Sequence, residues 1–489
     1  MKVVFAYLPF KSGDGFITLS QNRFAKMRGD CELIYPMIPA AGVTLWSKEG
    51  YDVHYIDSVF EQYSEADFIN RLTDIKPDLL VYEAKTPVIK QSWETVAKIK
   101  KSLPELKIAV CGDHVSVLPM ESMENSQLDY VITGGDYDVS MLGLARHIDS
   151  EGELPKGVYY RKGGKILNTG SYELIADLDS LPDIDRDIIP WRHYHESWRL
   201  HDEFTYMMAS RGCPYRCSFC SWPQMLYSNK VRFRSVDRVL DEMQSLVSDH
   251  GVREIFFDDD TFTCNRKWMI DFCEGIISRG INVVWSCNGR VDNVDKDILV
   301  KMRRAGCRLI KFGVESASPV TLERITKGYT IEQVRVGFKA AREAGIMRHG
   351  TVMLGYPWET LEDMRNTIEF IKEIDVDTVQ FSIPIVYPGT RLFEEAKKEG
   401  WLRFAEGDWD KYDMSMPSLI NPNVDASKIV SMCQSAWREV YFRPKFIWNK
   451  IVSVRSIPDI KLLYRGGMAV LKGHISSLRS KGDDLGCQA

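Results

Sequence analysis

Over its first 150 residues the chain alternates short apolar runs with stretches of helical periodicity. KVVFAYL is followed by a helix-like 38–48, DVHYID by 66–74, and DLLVYEA by 92–103, after which come KIAVCG and DYVITG. Buried strands of this length, each followed by an amphipathic helix, predict a doubly wound, Rossmann-like parallel sheet over 1–150. Such a sheet binds ligands at the carboxyl ends of its strands. Residues 151–198 break the pattern: GVYYRKGGKILNTG reads as a hairpin turning at Gly163 and Gly164, LDSLPDIDRDIIPW as loop, and the two together as a connector. Alternation resumes over 199–400 with FTYMMAS, REIFFDD, NVVWSC, RLIKFGV, GTVMLG and TVQFSI, separated by helices such as VDRVLDEMQSLVSDHG. Six strand–helix units predict a partial (β/α) barrel of TIM type, with its chemistry at the carboxyl ends of the strands. Beyond about Trp401 the pattern turns helical and irregular, defining a tail over 401–489.

The overall class is therefore α/β, and 489 residues of 44% hydrophobic content are enough for more than one core. Lys plus Arg (63) nearly balance Asp plus Glu (68), which argues against a surface built throughout for nucleic acid. MKVVFAYLPF lacks the long apolar region of a signal peptide, and no stretch reaches the ~18 apolar residues of a membrane span, so a cytoplasmic protein is expected. The 11 cysteines are scattered and odd in number, which favours free thiols and metal ligands over disulfides.

Their one tight cluster lies just after the first barrel strand. RGCPYRCSFCSWPQ places Cys213, Cys217 and Cys220 in a CxxxCxxC array on a polar loop that also carries Pro214, Arg216 and Ser218. Three thiolates on one loop suit an iron–sulfur cube and leave one iron open for a ligand. A structural zinc site needs a fourth ligand, and Cys264 and Cys273 offer no paired CxxC to supply it.

This array, with Phe219 before the last cysteine and six α/β units following, resembles the radical S-adenosylmethionine (SAM) superfamily. The resemblance implies a [4Fe-4S] cluster whose open iron chelates SAM, an electron donor such as flavodoxin or ferredoxin, and a 5'-deoxyadenosyl radical. It implies SAM contacts at Phe219, at Asp258 and Asp260 in the DDDT after the second strand, and at Ser286, Asn288 and Arg290 in WSCNGR. Glu315 beside Ser316 in GVESAS, and Gly355 in MLGYPWET, complete the set. From the residues alone, the aspartates read equally well as helix N-caps, Arg290 as a surface ion pair, and Gly355 with Pro357 as loop geometry.

A doubly wound domain ahead of such a barrel is similar to the cobalamin-binding group of this superfamily. That likeness implies corrin contacts at Thr86, Gly112, Asp113, His114, Gly134 and Gly135, where small residues let a ligand approach the backbone. The DxHxxG signature of histidine-ligated cobalamin is absent, and His114 reads as a tail contact or a structural residue. A front domain that binds no cofactor is the alternative.

IFFDDDTFT, VYPGTRLF and YFRPKFIW look like the branch holding the anaerobic magnesium-protoporphyrin ester cyclases and hopanoid-remodelling enzymes. A hydrophobic substrate, isoprenoid lipid or tetrapyrrole, follows from that likeness. The tail alternates Lys445, Lys450, Arg455, Lys461, Arg465, Lys472 and Arg479 with apolar residues such as Trp448 and Tyr464, the pattern of an interfacial helix touching a membrane or of a helical lid over the barrel mouth. No residue stands out as a general base, although His349 and Tyr387 lie near strand ends. The competing readings are a methylthiotransferase-like enzyme, for which the front domain holds only Cys31 and Cys111, and a non-catalytic iron–sulfur or cobalamin carrier.

Overall fold

A computed structural model describes residues 1–12, 15–20, 23–27 and 33–468, giving the backbone alone within 11–27. The first of its two large sheets contains β1 (Lys2–Tyr7), β2 (Asp52–Asp57), β3 (Leu79–Glu83), β4 (Lys107–Cys111), β5 (Tyr130–Ile132), β6 (Val158–Lys162) and β7 (Lys165–Asn168), in the order β7-β6-β5-β4-β3-β1-β2. β1 to β5 are parallel, and β6 and β7 add antiparallel edges. β1 and β3 are apolar and buried along almost their whole length, as strands covered by helices on both faces must be. The strand order reverses between β1 and β3, the place where a doubly wound sheet opens a ligand crevice.

The hairpin read as connector belongs to this sheet, with Val158 and Tyr159 paired to Ile132 and Val131. β5 has only three residues, and without the hairpin it would leave an apolar sheet edge bare. The front unit thus runs past residue 150.

The second sheet contains β8 (Phe204–Met207), β9 (Glu254–Phe257), β10 (Val284–Gly289), β11 (Cys307–Glu315), β12 (Met347–Met353) and β13 (Thr378–Ser382), all parallel and in sequence order. All six apolar runs named from the sequence become these strands. The true connector plugs the amino end of the barrel. Glu254, the first residue of β9, accepts the backbone N–H of His201 at 2.8 Å and pairs with Arg308 at 2.8 Å.

The tail lies elsewhere than over the mouth. Helix Ala426–Tyr441 runs along the β13 edge, where its Tyr441 hydroxyl both donates to Val379 O (2.9 Å) and accepts from Val379 N (2.8 Å). The next helix, Pro444–Ser453, and the helical segment 457–468 then cross the amino end of the barrel. There Lys450 meets Asp377, just before β13, at 3.7 Å, and Arg465 meets Asp202, just before β8, at 3.1 Å. The lid reading is therefore corrected: these helices bridge the two open edges at the end opposite the cysteines. Lys445 and Lys461 pair with Asp375 and Asp202 while remaining largely exposed, and Trp448, Ile457 and Tyr464 of the same segment are exposed too. Lys472, Arg479 and Cys31 lie outside the described residues. No helix among the described residues is long and apolar enough to cross a membrane.

Candidate active site

The carboxyl ends of the two sheets face each other, and the cysteine loop lies between them. Its neck is a short ribbon, Ser210–Arg211 paired with Arg232–Phe233. Gly212 follows at φ +86°, where a Cβ would stand 2.0 Å from the Lys230 carbonyl oxygen, so only glycine allows this entry. The Gln224 side-chain amide donates to the carbonyls of Cys217 (3.0 Å) and Cys220 (2.6 Å), and Arg391 donates to Arg216 O at 2.6 Å. These two residues hold the loop from beneath. Sequence reading missed both, although Gln224 closes the cysteine motif RGCPYRCSFCSWPQ and Arg391 lies in VYPGTRLF, because their bonds to the loop backbone depend on the fold.

Cys213 and Cys217 are buried, and Cys213 Sγ is 3.3 Å from the Thr261 hydroxyl. Burial, followed by the charge of Asp260, pushes the Cys213 thiol up to about 11. Burial, and then Cys217 and Cys213, raise Cys220 far above the ordinary thiol range. Cys213 and Cys220, whose burial opposes ionisation, become thiolates only beside strong positive charge, which iron supplies. Among the described residues no three His, Cys, Asp or Glu side chains meet at the spacing of one ion's ligands. A cube sits between its thiolates and does not need that spacing. The donor set fits a cluster.

Asp258, Asp259 and Asp260 leave the end of β9. Asp259 is structural: it accepts from Ala209 N (3.1 Å) and from the Ser210 hydroxyl, and burial pushes its carboxyl up to about 7. Asn288 donates to the Asp259 carbonyl at 2.9 Å and so braces the same turn. Asp258 is buried beside it. Asp260 Oδ2 and the Ser286 hydroxyl are buried with no hydrogen-bond partner among the described residues. Burial first, then Asp258 and Asp259, raise the Asp260 carboxyl well above its ordinary value. Crowded carboxyls beside a thiol cluster call for a cation, and the ammonium of an amino acid suits them. The residues fit SAM.

Arg290 donates in fork fashion to Asp292 (3.0 and 2.9 Å), lies 3.6 Å from the centre of the Tyr215 ring, and reaches to 3.9 Å from Cys217 Sγ. Arg290 is thus ion-paired, but in a buried pair and not a surface one, with the cation also poised on a cluster thiol. Glu315 follows a break in register at Gly313 and sits at φ +64°, held by Lys327 Nζ at 2.6 Å. Lys327 is 5.7 Å from the centre of the half-buried Phe219 ring. Gly355 is corrected to a packing position, because its missing side chain makes room for Ile429, 2.5 Å from where a Cβ would lie. Its N–H donates to Glu359 (2.9 Å), which also accepts from Tyr356 N and from the hydroxyls of Ser316 and Thr321. Glu359 organises this turn and was missed as the last acid of MLGYPWET. His349 lies within β12, bonded to Thr378 at 2.9 Å, and Tyr387 donates to Tyr412 O at 3.1 Å.

In the front loops the residues named for corrin contact also make contacts within the chain. His114 is fully buried with both ring nitrogens engaged, Nδ1 by Thr86 and Nε2 by Glu121, each at 3.2 Å. Asp113 accepts His114 N at 2.7 Å. Gly112 at φ +125° would place a Cβ 2.3 Å from Ala84 O, so it lets β3 and β4 end side by side. Gly134 and Gly135 pack beneath Tyr172 and Tyr227 on the side where a Cβ would stand. A Cβ on Gly135 would meet the Tyr227 ring at 2.3 Å, so Gly135→Ala is expected to cost about 1–3 kcal/mol in chemical denaturation by wedging the two sheets apart. An unchanged denaturation midpoint would show that this contact yields freely.

A sequence profile of the Radical SAM superfamily matches residues 207–371. An uncharacterized methyltransferase of Pyrococcus horikoshii is 32% identical over 419 residues, 85% of this chain and 90% of the relative. The anaerobic magnesium-protoporphyrin IX monomethyl ester cyclase of Cereibacter sphaeroides is 28% identical over 407 residues, 81% of this chain and 65% of that protein. Among solved structures, the radical SAM methyltransferase TsrM of Kitasatospora setae with cobalamin and a [4Fe-4S] cluster bound superposes with TM-score 0.65 at 18% identity, covering 83% of this chain and 77% of that one. The cobalamin-dependent radical enzyme OxsB gives TM-score 0.68 at 16% identity over 97% and 72%. The thiol loop, the acid cluster and these likenesses agree: the chain is an enzyme of the radical SAM superfamily.

Proposed function

We propose that this enzyme binds cobalamin as well as the cluster and SAM, and that it methylates, cyclises or rearranges an unactivated carbon of a hydrophobic substrate of the isoprenoid lipid or tetrapyrrole class. The observation that carries this reading is that the strand-order reversal of the front sheet opens directly on the cysteine loop. Relatives named as methyltransferases and ester cyclases, and solved neighbours with cobalamin bound, support it.

When bound, the cluster supplies the electron that splits SAM into a carbon radical, and cobalamin a transferable methyl group. The chain's own residues do the positioning. Cys213, Cys217 and Cys220 hold the cluster, and Gln224 and Arg391 keep their loop in register with the barrel mouth. Asp258, Asp260 and Ser286 receive an ammonium. Arg290 sets a cation 3.9 Å from Cys217 Sγ. The buried joint between the sheets excludes water, which protects a radical from quenching. A flavodoxin or ferredoxin is the matching reductant.

Anaerobic reconstitution with iron and sulfide tests both parts. A ~400 nm absorption band, 5'-deoxyadenosine formed from SAM after reduction, and retention of hydroxocobalamin through gel filtration are expected. Absence of cleavage would leave a non-catalytic carrier. Absence of retention would leave the front domain a scaffold.

A further inference from the structure

One buried polar group has no part in the reading above. At the strand-order reversal, the Tyr7 hydroxyl donates to Glu83 Oε2 at 3.0 Å, and Glu83 Oε1 stands 3.2 Å from Lys85 Nζ. Lys85 lies 4.7 Å from the centre of the ring of Trp222, two residues beyond Cys220. Tyr137 stands within electrostatic reach of Glu83 and Cys111. Glu83 and Tyr137 are 0% exposed, Lys85 1% and Trp222 5%. Among the described residues the Tyr137 hydroxyl and the Trp222 indole N–H have no hydrogen-bond partner. Two unused donors behind the cysteine loop mark a place where a bound molecule supplies acceptors.

The charges select the acceptor. Glu83 and Lys85 cancel, Arg211 and Arg232 cancel Asp138 and Asp136, and Asp113, buried beside Lys85, leaves the locality negative. A carboxylate or phosphate would be repelled. A neutral oxygen that accepts hydrogen bonds, with an N–H beside it for Glu83, is favoured, which describes a primary carboxamide. Corrins carry such amides around their rim. We infer that Tyr137, Trp222 and Glu83 recognise the carboxamide edge of a corrin at the strand-order reversal, an inference that rests on the cobalamin reading above.

The test uses the full-length, reconstituted protein titrated by absorbance with diaquacobinamide, which has the amides but no nucleotide tail, and with diaquacobyrinic acid, in which carboxylates replace them. Wild type is expected to prefer cobinamide by more than about tenfold. Tyr137→Phe and Trp222→Phe are each expected to weaken cobinamide binding about fivefold and to leave cobyrinic acid binding alone. Tyr137→Phe should also keep or raise the corrin-free melting temperature, since the hydroxyl it removes has no partner; should Trp222→Phe fold poorly, Tyr137→Phe still decides. Wild-type binding of cobinamide with no change in either variant overturns the inference while the cobalamin reading stands. A lower corrin-free melting temperature for Tyr137→Phe overturns it too, by revealing an internal partner. If wild type binds neither corrin, the cobalamin reading itself fails.

Discussion

Cys217→Ala is expected to lower reductive cleavage of SAM by about a thousandfold or more, with parallel loss of iron and of the ~400 nm band. The magnitude follows from the position. Two remaining thiolates leave two irons of a cube unheld. The Arg290 guanidinium, 3.9 Å from the missing sulfur, would face a gap in place of an anion. Gln224, bonded to the backbone of the loop and not to its thiols, keeps the turn in shape, so loss of activity would report chemistry and not collapse. Quantified 5'-deoxyadenosine decides the matter: equal yields from variant and wild type would refute the cluster assignment.

Arg211→Met is expected to cost about 3–5 kcal/mol in chemical denaturation near pH 7.5. Arg211 donates to Asp138 at 3.0 and 2.7 Å and to Asp136 at 3.1 Å, and so ties the front domain to the neck of the cysteine loop. Removing the cation leaves Asp138, which has no exposed surface, as an uncompensated buried charge. Burial alone would raise the Asp136 carboxyl, but the hydrogen bond from Arg232 and the charges of Arg211 and Arg232 outweigh it and hold the group below its ordinary value. A depressed carboxylate stabilises the fold above its unfolded pKa of about 4 and stops doing so as pH falls through the lower, folded value. In the variant Asp136 keeps Arg232 but loses the charge of Arg211, so part of this contribution is gone. The deficit against wild type should therefore hold from pH 7.5 to about pH 5 and shrink as pH falls through about 4 and below. A deficit below about 1 kcal/mol, or one independent of pH, would mean the joint is solvated.

How far the sequence foretold these results depended on whether the signal was local. The six barrel strands and the first five strands of the front sheet were legible because apolar runs of strand length between amphipathic helices have few other solutions. The hairpin 158–168 looked like a connector because its strands are short and half polar, and only pairing with β5 reveals that it completes a sheet. The tail was legible only in part. Its basic and apolar alternation matches a membrane-surface helix, yet Lys445, Lys450, Lys461 and Arg465 find Asp375, Asp377 and Asp202, acids distant in sequence.

The same division runs through the site. Three cysteines on one loop declared their chemistry unaided, because a cluster needs thiolates within reach of one another and CxxxCxxC brings them there in a single turn of chain. Asp258, Asp260, Ser286 and Glu315 could be named because strand ends in a parallel barrel converge, whatever the details. What Gly134, Gly135, Gly355 and His114 do was settled only by long-range packing: Tyr172, Tyr227 and Ile429 fill the glycine gaps, while Thr86 and Glu121 use both nitrogens of the histidine. A small residue states only that something comes close. Which group comes close depends on segments up to about ninety residues apart, and folding alone brings those together.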